Sequence, residues 1–322
     1  MNQTSSEIMQ HLAAQGWLGR IVPIEHLSDL EDAILGTQRR GFFDDEFYQE
    51  RLSGFSFRSP QGLEDCQSII VLAIPVPQIR TVFRWKGERF PAILPPTYVG
   101  YGATSERVRV GVGTLLGEEG YKVERAELPL KTLAVCSGLA EYGRNNISYL
   151  PGLGSFFQLV GVLSDLRCSE DSWERPRMME RCKSCEACLR ACPTGAIGQD
   201  RLLLHAERCI SFHNERSGEF PAWLRPDWHN CLFGCMCCQN VCPENKAVLS
   251  WVEEKEEFTE EETRLLMECA PVGELPASTV EKLRQLDMCD DLPILSRNLL
   301  VLLCGQIATE LGSRWDDPLP NA

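Results

Sequence analysis

The sequence predicts a fold of mixed helices and strands, α/β (α+β), over residues 1–167. A cysteine-rich domain is predicted over 168–250 and an acidic helical segment over 251–322. Helical and strand patterns alternate in the first part, and its strongest strand patterns are apolar throughout. Strands that are apolar on both faces are typical of a sheet covered by helices on both sides. Ten of the 16 cysteines fall between Cys182 and Cys242, which indicates a separate cysteine-rich domain.

Local patterns predict the elements in chain order. Start signals and periodicity indicate helices at 5–15, 27–36, 106–120 and 132–142. The apolar run 68–74 is followed by Pro75 and Pro77, so it predicts a buried central strand. Two further strands are predicted at 122–126 and 156–166. From Trp251 the chain becomes acidic, and we interpret the seven glutamates in 253–262 as the solvated face of a helical segment.

Composition excludes some classes of partner. The chain has 46 Asp and Glu against 32 Lys and Arg, a net charge of −14. Such a charge repels a phosphate backbone, so we expect no nucleic-acid partner. No signal-peptide pattern opens the sequence, and its apolar runs are too short to span a bilayer, so we expect a cytoplasmic protein with no membrane partner. In a reducing compartment the cysteines stay available as metal ligands.

Two cysteine motifs indicate that the protein binds metal. The first has the spacing Cys-x2-Cys-x2-Cys-x3-Cys-Pro and begins at Cys182; the second has the spacing Cys-x2-Cys-x3-Cys-Pro and begins at Cys235. The first spacing is that of bacterial ferredoxins, in which the fourth cysteine binds the other cluster of a pair. Zinc sites use separated cysteine pairs, so the spacing favours two [4Fe–4S] clusters in a ferredoxin-like domain over zinc.

The same logic predicts the ligands. Cluster one takes the first three cysteines of the first motif and the last of the second: Cys182, Cys185, Cys188 and Cys242. Cluster two takes Cys192, Cys235 and Cys238 and needs a fourth thiolate. Cys209 is the best candidate, and Cys231 and Cys237 are the alternatives. The other six cysteines are interpreted as small buried hydrophobic residues.

A family resemblance runs through several segments in order. They are 68–75, 130–135, 138–145, 154–157 and the cysteine block with Arg208-Cys209 and Gly234-Cys235. On these segments the chain resembles the cobalamin-dependent epoxyqueuosine reductases and, more distantly, the corrinoid reductive dehalogenases. The resemblance implies a nitroreductase-like domain that holds base-off cobalamin, two clusters that relay electrons to its cobalt, and Cys209 as the fourth ligand of cluster two.

The resemblance also implies site residues. The expected corrinoid contacts are Tyr101, Lys131, Gly143, Arg144, Asn145, Gly154 and Ser155. Glycines there would let the backbone approach the ring, although turns explain the same glycines equally well. Glu124 stands seven residues before Lys131, where the reductases have a catalytic Asp, and is the expected proton donor. Its alternative is a surface carboxylate on an edge strand. Tyr142 and Tyr149 are the next candidate donors, with buried packing as their alternative role.

We therefore expect a cobalamin-dependent iron–sulfur oxidoreductase that receives electrons from a low-potential donor such as ferredoxin or flavodoxin. The chain ends soon after residue 300, where the tRNA-modifying enzymes continue into helical repeats. Together with the net charge, this predicts a small molecule or a corrinoid protein as substrate and not tRNA. The alternative is an electron-transfer protein that reduces a partner such as a corrinoid protein.

Overall fold

The computed structural model describes residues 5–168, 170–199 and 203–310, with side chains as far as Gly305. The chain divides into two compact units that are interleaved along the sequence. The first comprises residues up to Val76, Tyr101–Arg208 and Cys238–Ser250; the second comprises Pro77–Gly100, Cys209–Cys237 and the residues from Trp251 onward. The predicted segments 1–167, 168–250 and 251–322 are each continuous in the sequence. Each structural unit instead combines several separate stretches of the chain.

The described residues form nine strands and eleven α-helices. The strands are β1 (Leu18–Pro23), β2 (Ser68–Pro75), β3 (Gln78–Trp85), β4 (Glu88–Leu94), β5 (Val123–Arg125), β6 (Glu141–Tyr142), β7 (Ser148–Tyr149), β8 (Phe157–Ser164) and β9 (Val252–Phe258). The helices are α1 (Ser5–Ala14), α2 (His26–Arg39), α3 (Asp45–Arg51), α4 (Tyr101–Gly117), α5 (Leu130–Cys136), α6 (Ala187–Ala191), α7 (Ile210–Asn214), α8 (Cys237–Asn240), α9 (Glu260–Met267), α10 (Ala277–Gln285) and α11 (Leu292–Glu310). No helix within these residues has the length and apolar character needed to cross a bilayer.

The first unit is built on an antiparallel sheet with strand order β1-β2-β8-β5. Alternate residues of β2 point to opposite faces, as a pleated strand requires. Val71 packs with residues of α2 and α5 on one face, and Leu72 packs with residues of α1 and α4 on the other. The predicted buried strand between helical layers is therefore confirmed.

The helix predicted at 132–142 is shorter than expected. Helix α5 ends at Cys136, and Gly138 follows with a φ of +71°. A glycine in the left-handed region just past a helix is a common C-terminal stop, because it satisfies the last carbonyls and cannot continue the helix. Only the last two residues of the predicted helix form the first strand of the short β6–β7 hairpin, which carries residues of the candidate site.

The second unit contains a sheet with strand order β4-β3-β9, in which β3 and β9 are parallel. The sequence analysis predicts neither β3 nor β4. Their turn is Lys86-Gly87, and both residues have positive φ, as a two-residue hairpin of type I′ requires. The rings of Phe83 and Phe258 stack with centroids 4.8 Å apart, in a core completed by residues of α9, α10 and α11.

The helical interpretation of 251–262 is wrong for its first part, because 252–258 form strand β9. The glutamates of β9 meet arginines of the neighbouring hairpin: Glu257 pairs with Arg84 and, at 2.7 Å, with Arg89. Helix α9 begins only after Thr259, which forms a capping box with Glu262. Glu262 is buried and lies 2.7 Å from the ammonium of Lys282, so the acidic run is not simply a solvated face.

Candidate metal centre

Four cysteine thiols line one pocket of the first unit. Cys182 lies on a 3-10 turn, Cys188 lies on α6, and Cys185 and Cys242 lie in the connecting segments. These are the four residues that the motif spacing predicts for cluster one, and all are free thiols. The structure therefore brings together residues up to 60 positions apart, from Cys182 to Cys242.

The pocket suits a cluster as its occupant. Within the described ranges, no three His, Cys, Asp or Glu side chains converge on a point where they could hold a single metal ion. A [4Fe–4S] cubane is bound by one thiolate at each of its four irons, so its ligands surround a space. Four thiols around a pocket have this arrangement, and their number and element match the donor set of a cluster.

Burial governs the charge of these thiols. It raises the pKa of Cys188 to about 11 and raises the pKa of Cys182 as well. These two thiols, Cys182 and Cys188, are therefore protonated at neutral pH when no metal is bound. Iron binds the thiolate, so loading the site releases protons to solvent.

Arg144 holds the loop that carries the first motif. Its Nη2 donates to the carbonyl oxygen of Cys182 at 2.7 Å, and its Nε donates to the carbonyl oxygen of Cys185 at 3.1 Å. Arg144 follows strand β6, so the hairpin of the first unit positions the ligand loop. Bonds to two carbonyls from one planar guanidinium fix both the place and the orientation of the loop.

The turn before β8 holds the second motif in the same way. The backbone N–H of Ser155 donates to Oδ1 of Asn245 at 2.9 Å, and its hydroxyl donates to Oε1 of Gln239 at 2.7 Å. Gly154 has a φ of +55°, and a Cβ added there would lie 2.1 Å from Oδ1 of Asn245. The close approach of the two segments therefore requires a residue without a side chain.

These contacts change the interpretation of the predicted corrinoid residues. Gly143, Arg144 and Asn145 line the thiol pocket, and Gly154 and Ser155 contact residues in or just after the second cysteine motif. The other two lie apart from this pocket. The hydroxyl of Tyr101 donates to the carbonyl of Leu159 at 3.2 Å, and the exposed Lys131 donates to the carbonyl of Asn146 at 3.3 Å. Five of the seven positions therefore lie at or beside the cysteine motifs, and their role as corrinoid contacts stays a prediction.

The predicted proton donors lie in two different environments. Glu124 is exposed on β5, an edge strand of its sheet, as its alternative interpretation expects. Tyr142 is buried in the core on the side of α5, and its hydroxyl lies 3.1 Å from the hydroxyl of Thr132. Burial raises the pKa of Tyr142 to about 12. Their catalytic roles stay predictions, since neither side chain lines the thiol pocket.

In the second unit, Asn230 organises a loop of three cysteines. Its Nδ2 donates to the sulfurs of Cys235 at 3.2 Å and Cys237 at 3.1 Å, and its Oδ1 accepts from the thiol of Cys231 at 3.1 Å. Cys231 is only 1% exposed. A buried thiol that donates its proton to a neighbouring amide behaves as a core residue, which favours Cys209 over Cys231 as the fourth ligand.

Replacement of these cysteines separates the candidates for the fourth ligand. We expect Cys209→Ala to lose one cluster, because an iron is left without its thiolate, and we expect Cys231→Ala and Cys237→Ala to keep both. Anaerobic iron and sulfide analysis of the three variants measures this. Loss of a cluster from Cys231→Ala with retention in Cys209→Ala would reverse the assignment.

Comparison with known proteins agrees with the cysteine chemistry. Residues 181–245 match a family model described as a 4Fe-4S double cluster binding domain. The predicted double-cluster domain is confirmed. The match includes every cysteine of the two motifs and the candidates between them.

Relatives of known name extend the comparison. The chain is 35% identical over 127 residues to an epoxyqueuosine reductase of Bacillus subtilis (strain 168), covering 38% of this chain and 31% of that protein. It is 36% identical over 125 residues to an epoxyqueuosine reductase of Escherichia coli (strain K12), covering 38% and 32%. The match spans about a third of the length of these curated relatives. The predicted resemblance to epoxyqueuosine reductases is confirmed.

Solved structures show the same fold over most of the chain. An epoxyqueuosine reductase from Streptococcus thermophilus has a TM-score of 0.64 at 18% identity, covering 94% of this chain and 81% of that chain. A crystal structure of epoxyqueuosine reductase with a tRNA-Tyr epoxyqueuosine-modified stem loop has a TM-score of 0.64 at 20% identity, covering 98% and 86%. The predicted fold, a mixed α/β domain with a double-cluster domain and a helical C-terminal part, is confirmed.

The prediction that the chain has no nucleic-acid partner is wrong. The enzyme that it resembles has been solved with a modified tRNA stem loop bound. Net charge is a sum over the whole chain, whereas a nucleic acid contacts only a local surface. The expected lack of helical repeats is equally weak support, since the match covers 86% of the tRNA-bound chain.

Proposed function

We propose that this protein is an iron–sulfur reductase of the epoxyqueuosine reductase type, acting on a modified nucleoside carried by a tRNA. The pocket lined by four cysteine thiols carries the proposal, because it lies in a chain whose sequence and fold resemble that enzyme. A reductase consumes electrons, and a pair of [4Fe–4S] clusters passes them singly from a low-potential donor such as ferredoxin or flavodoxin.

In this proposal each cluster has four thiolate ligands. Those of cluster one are Cys182, Cys185, Cys188 and Cys242. Those of cluster two are Cys192, Cys209, Cys235 and Cys238. Arg144 and the Gly154-Ser155 turn hold the two motifs in place. Cobalamin is implied by the resemblance alone, and five of its seven expected contacts also lie at or beside the cysteine motifs.

Complementation tests the proposed substrate. Expression of this chain in a strain without its own epoxyqueuosine reductase is expected to restore queuosine in tRNA, measured by mass spectrometry of digested nucleosides. The Cys182→Ala variant is expected to restore none, because it removes a proposed cluster ligand. Persistent epoxyqueuosine with the unchanged chain, expressed as folded iron-containing protein, would contradict the proposed substrate.

A second candidate is an electron-transfer protein that reduces a corrinoid protein. The observation that favours it is the position of the two predicted proton donors, Glu124 on an exposed edge strand and Tyr142 in the core. An electron-transfer protein needs no proton donor of its own. Reduction of a corrinoid protein by the dithionite-reduced chain, without any restoration of queuosine, would favour this candidate.

A further inference from the structure

Tyr149 on β7 is buried against the candidate ligands of cluster one. Its side chain is 2% exposed and packs with Met179 and Cys182, and Cys242 lies against the same group of side chains. Gly143 allows this position, because a Cβ there would lie 2.5 Å from a ring carbon of Tyr149. The ring is therefore held in one place beside two cysteines from different motifs.

The hydroxyl of Tyr149 has two partners with different roles. Nδ2 of Asn145 donates to the phenol oxygen at 2.8 Å, and Asn145 is itself 2% exposed. The second neighbour of the hydroxyl is the side chain of Cys242, which packs against the same group of side chains. Since an amide N–H can only donate, Asn145 uses the oxygen of Tyr149 as an acceptor and leaves the O–H proton to be donated to sulfur.

We infer that Tyr149 tunes the cluster bound by Cys242: its hydroxyl, oriented by Asn145, donates a hydrogen bond to the Cys242 sulfur and raises the reduction potential of that cluster. A reduced cluster carries one more negative charge than the oxidised form, so a donor at its ligand sulfur stabilises the reduced form more. The inference rests on the proposed assignment of Cys242 as a ligand of cluster one. Tyr149 is thus a positioning residue that acts on the cluster through Cys242.

Redox titration of the Tyr149→Phe protein tests this inference. The variant keeps the ring and its packing and removes only the hydroxyl. The titration is monitored by electron paramagnetic resonance. We expect unchanged iron content and a shift of one of the two cluster reduction potentials to a more negative value. The ratio of reduced to oxidised cluster at a fixed potential should fall about fivefold. This is the change in an equilibrium constant that the net free energy of one ordinary protein hydrogen bond produces. Asn145→Ala should shift the same wave in the same direction by a smaller amount.

The matched control is Tyr142→Phe. Tyr142 is a second buried tyrosine of the first unit, but its hydroxyl contacts Thr132 and not a motif cysteine. We expect both potentials to stay unchanged in this variant. Three results would overturn the inference: an unshifted potential in fully loaded Tyr149→Phe, an equal shift in Tyr142→Phe, or loss of a cluster from Tyr149→Phe. Absence of iron from the unchanged protein would instead overturn the proposed cluster assignment.

Discussion

The Cys182→Ala variant is expected to retain about four of the roughly eight irons that two [4Fe–4S] clusters supply. Cys182 lies in the thiol pocket beside the loop held by Arg144, and no other cysteine lines that pocket besides Cys185, Cys188 and Cys242 among its described lining residues. The iron that loses Cys182 therefore has no replacement thiolate close by. Anaerobic iron and sulfide analysis, together with visible absorbance, measures the loss.

The control for this experiment is Cys269→Ala. Cys269 lies outside both motifs and is exposed, so its interpretation as a buried residue is wrong, and its removal is expected to leave iron and sulfide unchanged. Full iron content in Cys182→Ala would contradict the ligand set of cluster one. Stoichiometric zinc and no visible absorbance in the unchanged protein would contradict a cluster at this site altogether.

The Gly154→Ala variant is expected to be destabilised by about 3 kcal/mol, from a left-handed backbone and an overpacked contact that each cost about 1–3 kcal/mol. The added Cβ would lie 2.1 Å from Oδ1 of Asn245 and 2.9 Å from the carbonyl oxygen of Glu244, so the turn must separate from the second motif. Anaerobic denaturant unfolding of the full chain, followed by circular dichroism, measures the change.

Gly152→Ala is the matched control for the contact. Its φ of +78° is also left-handed, but an added Cβ meets nothing within 4 Å. Only the backbone cost of about 1 kcal/mol is expected there. Equal destabilisation by both substitutions would show that the contact with Asn245 contributes nothing. A stable Gly154→Ala protein that fails to bind added cobalamin would instead support the corrinoid role that the family resemblance implies.

Strand β2 shows what local sequence can predict. Its residues 68–74 are apolar or small, and every one is buried between two helical layers, so composition alone indicates a central strand. Strand β9 shows the opposite case. Its glutamates favour a solvated helix by local pattern, and the arginines that pair with them lie on β3 and β4, about 170 residues away. No local pattern contains that pairing.

The candidate site divides in the same way. The grouping of four cysteines in one pocket was predictable, because three of them share one short motif and the ferredoxin spacing indicates the fourth. The roles of Arg144 and Gly154 were not predictable, because their partners are Cys182 and Asn245, which lie 38 and 91 residues further along the chain. A glycine that only forms a turn cannot be distinguished in sequence from a glycine whose backbone packs against a distant asparagine. The Asn-x3-Tyr spacing of Asn145 and Tyr149 was the only local sign of their contact.

The bonds from Arg144 reach main-chain carbonyls, not sulfurs, so they form whether or not iron is present. These bonds fix the backbone of the loop that bears the first three thiols, so we expect cluster insertion to cost little further chain entropy. Many small metal-binding domains unfold when their metal leaves. Here we expect the ligand loop held by Arg144 to keep its conformation after oxygen destroys a cluster. A new cluster could then be inserted without refolding of the protein.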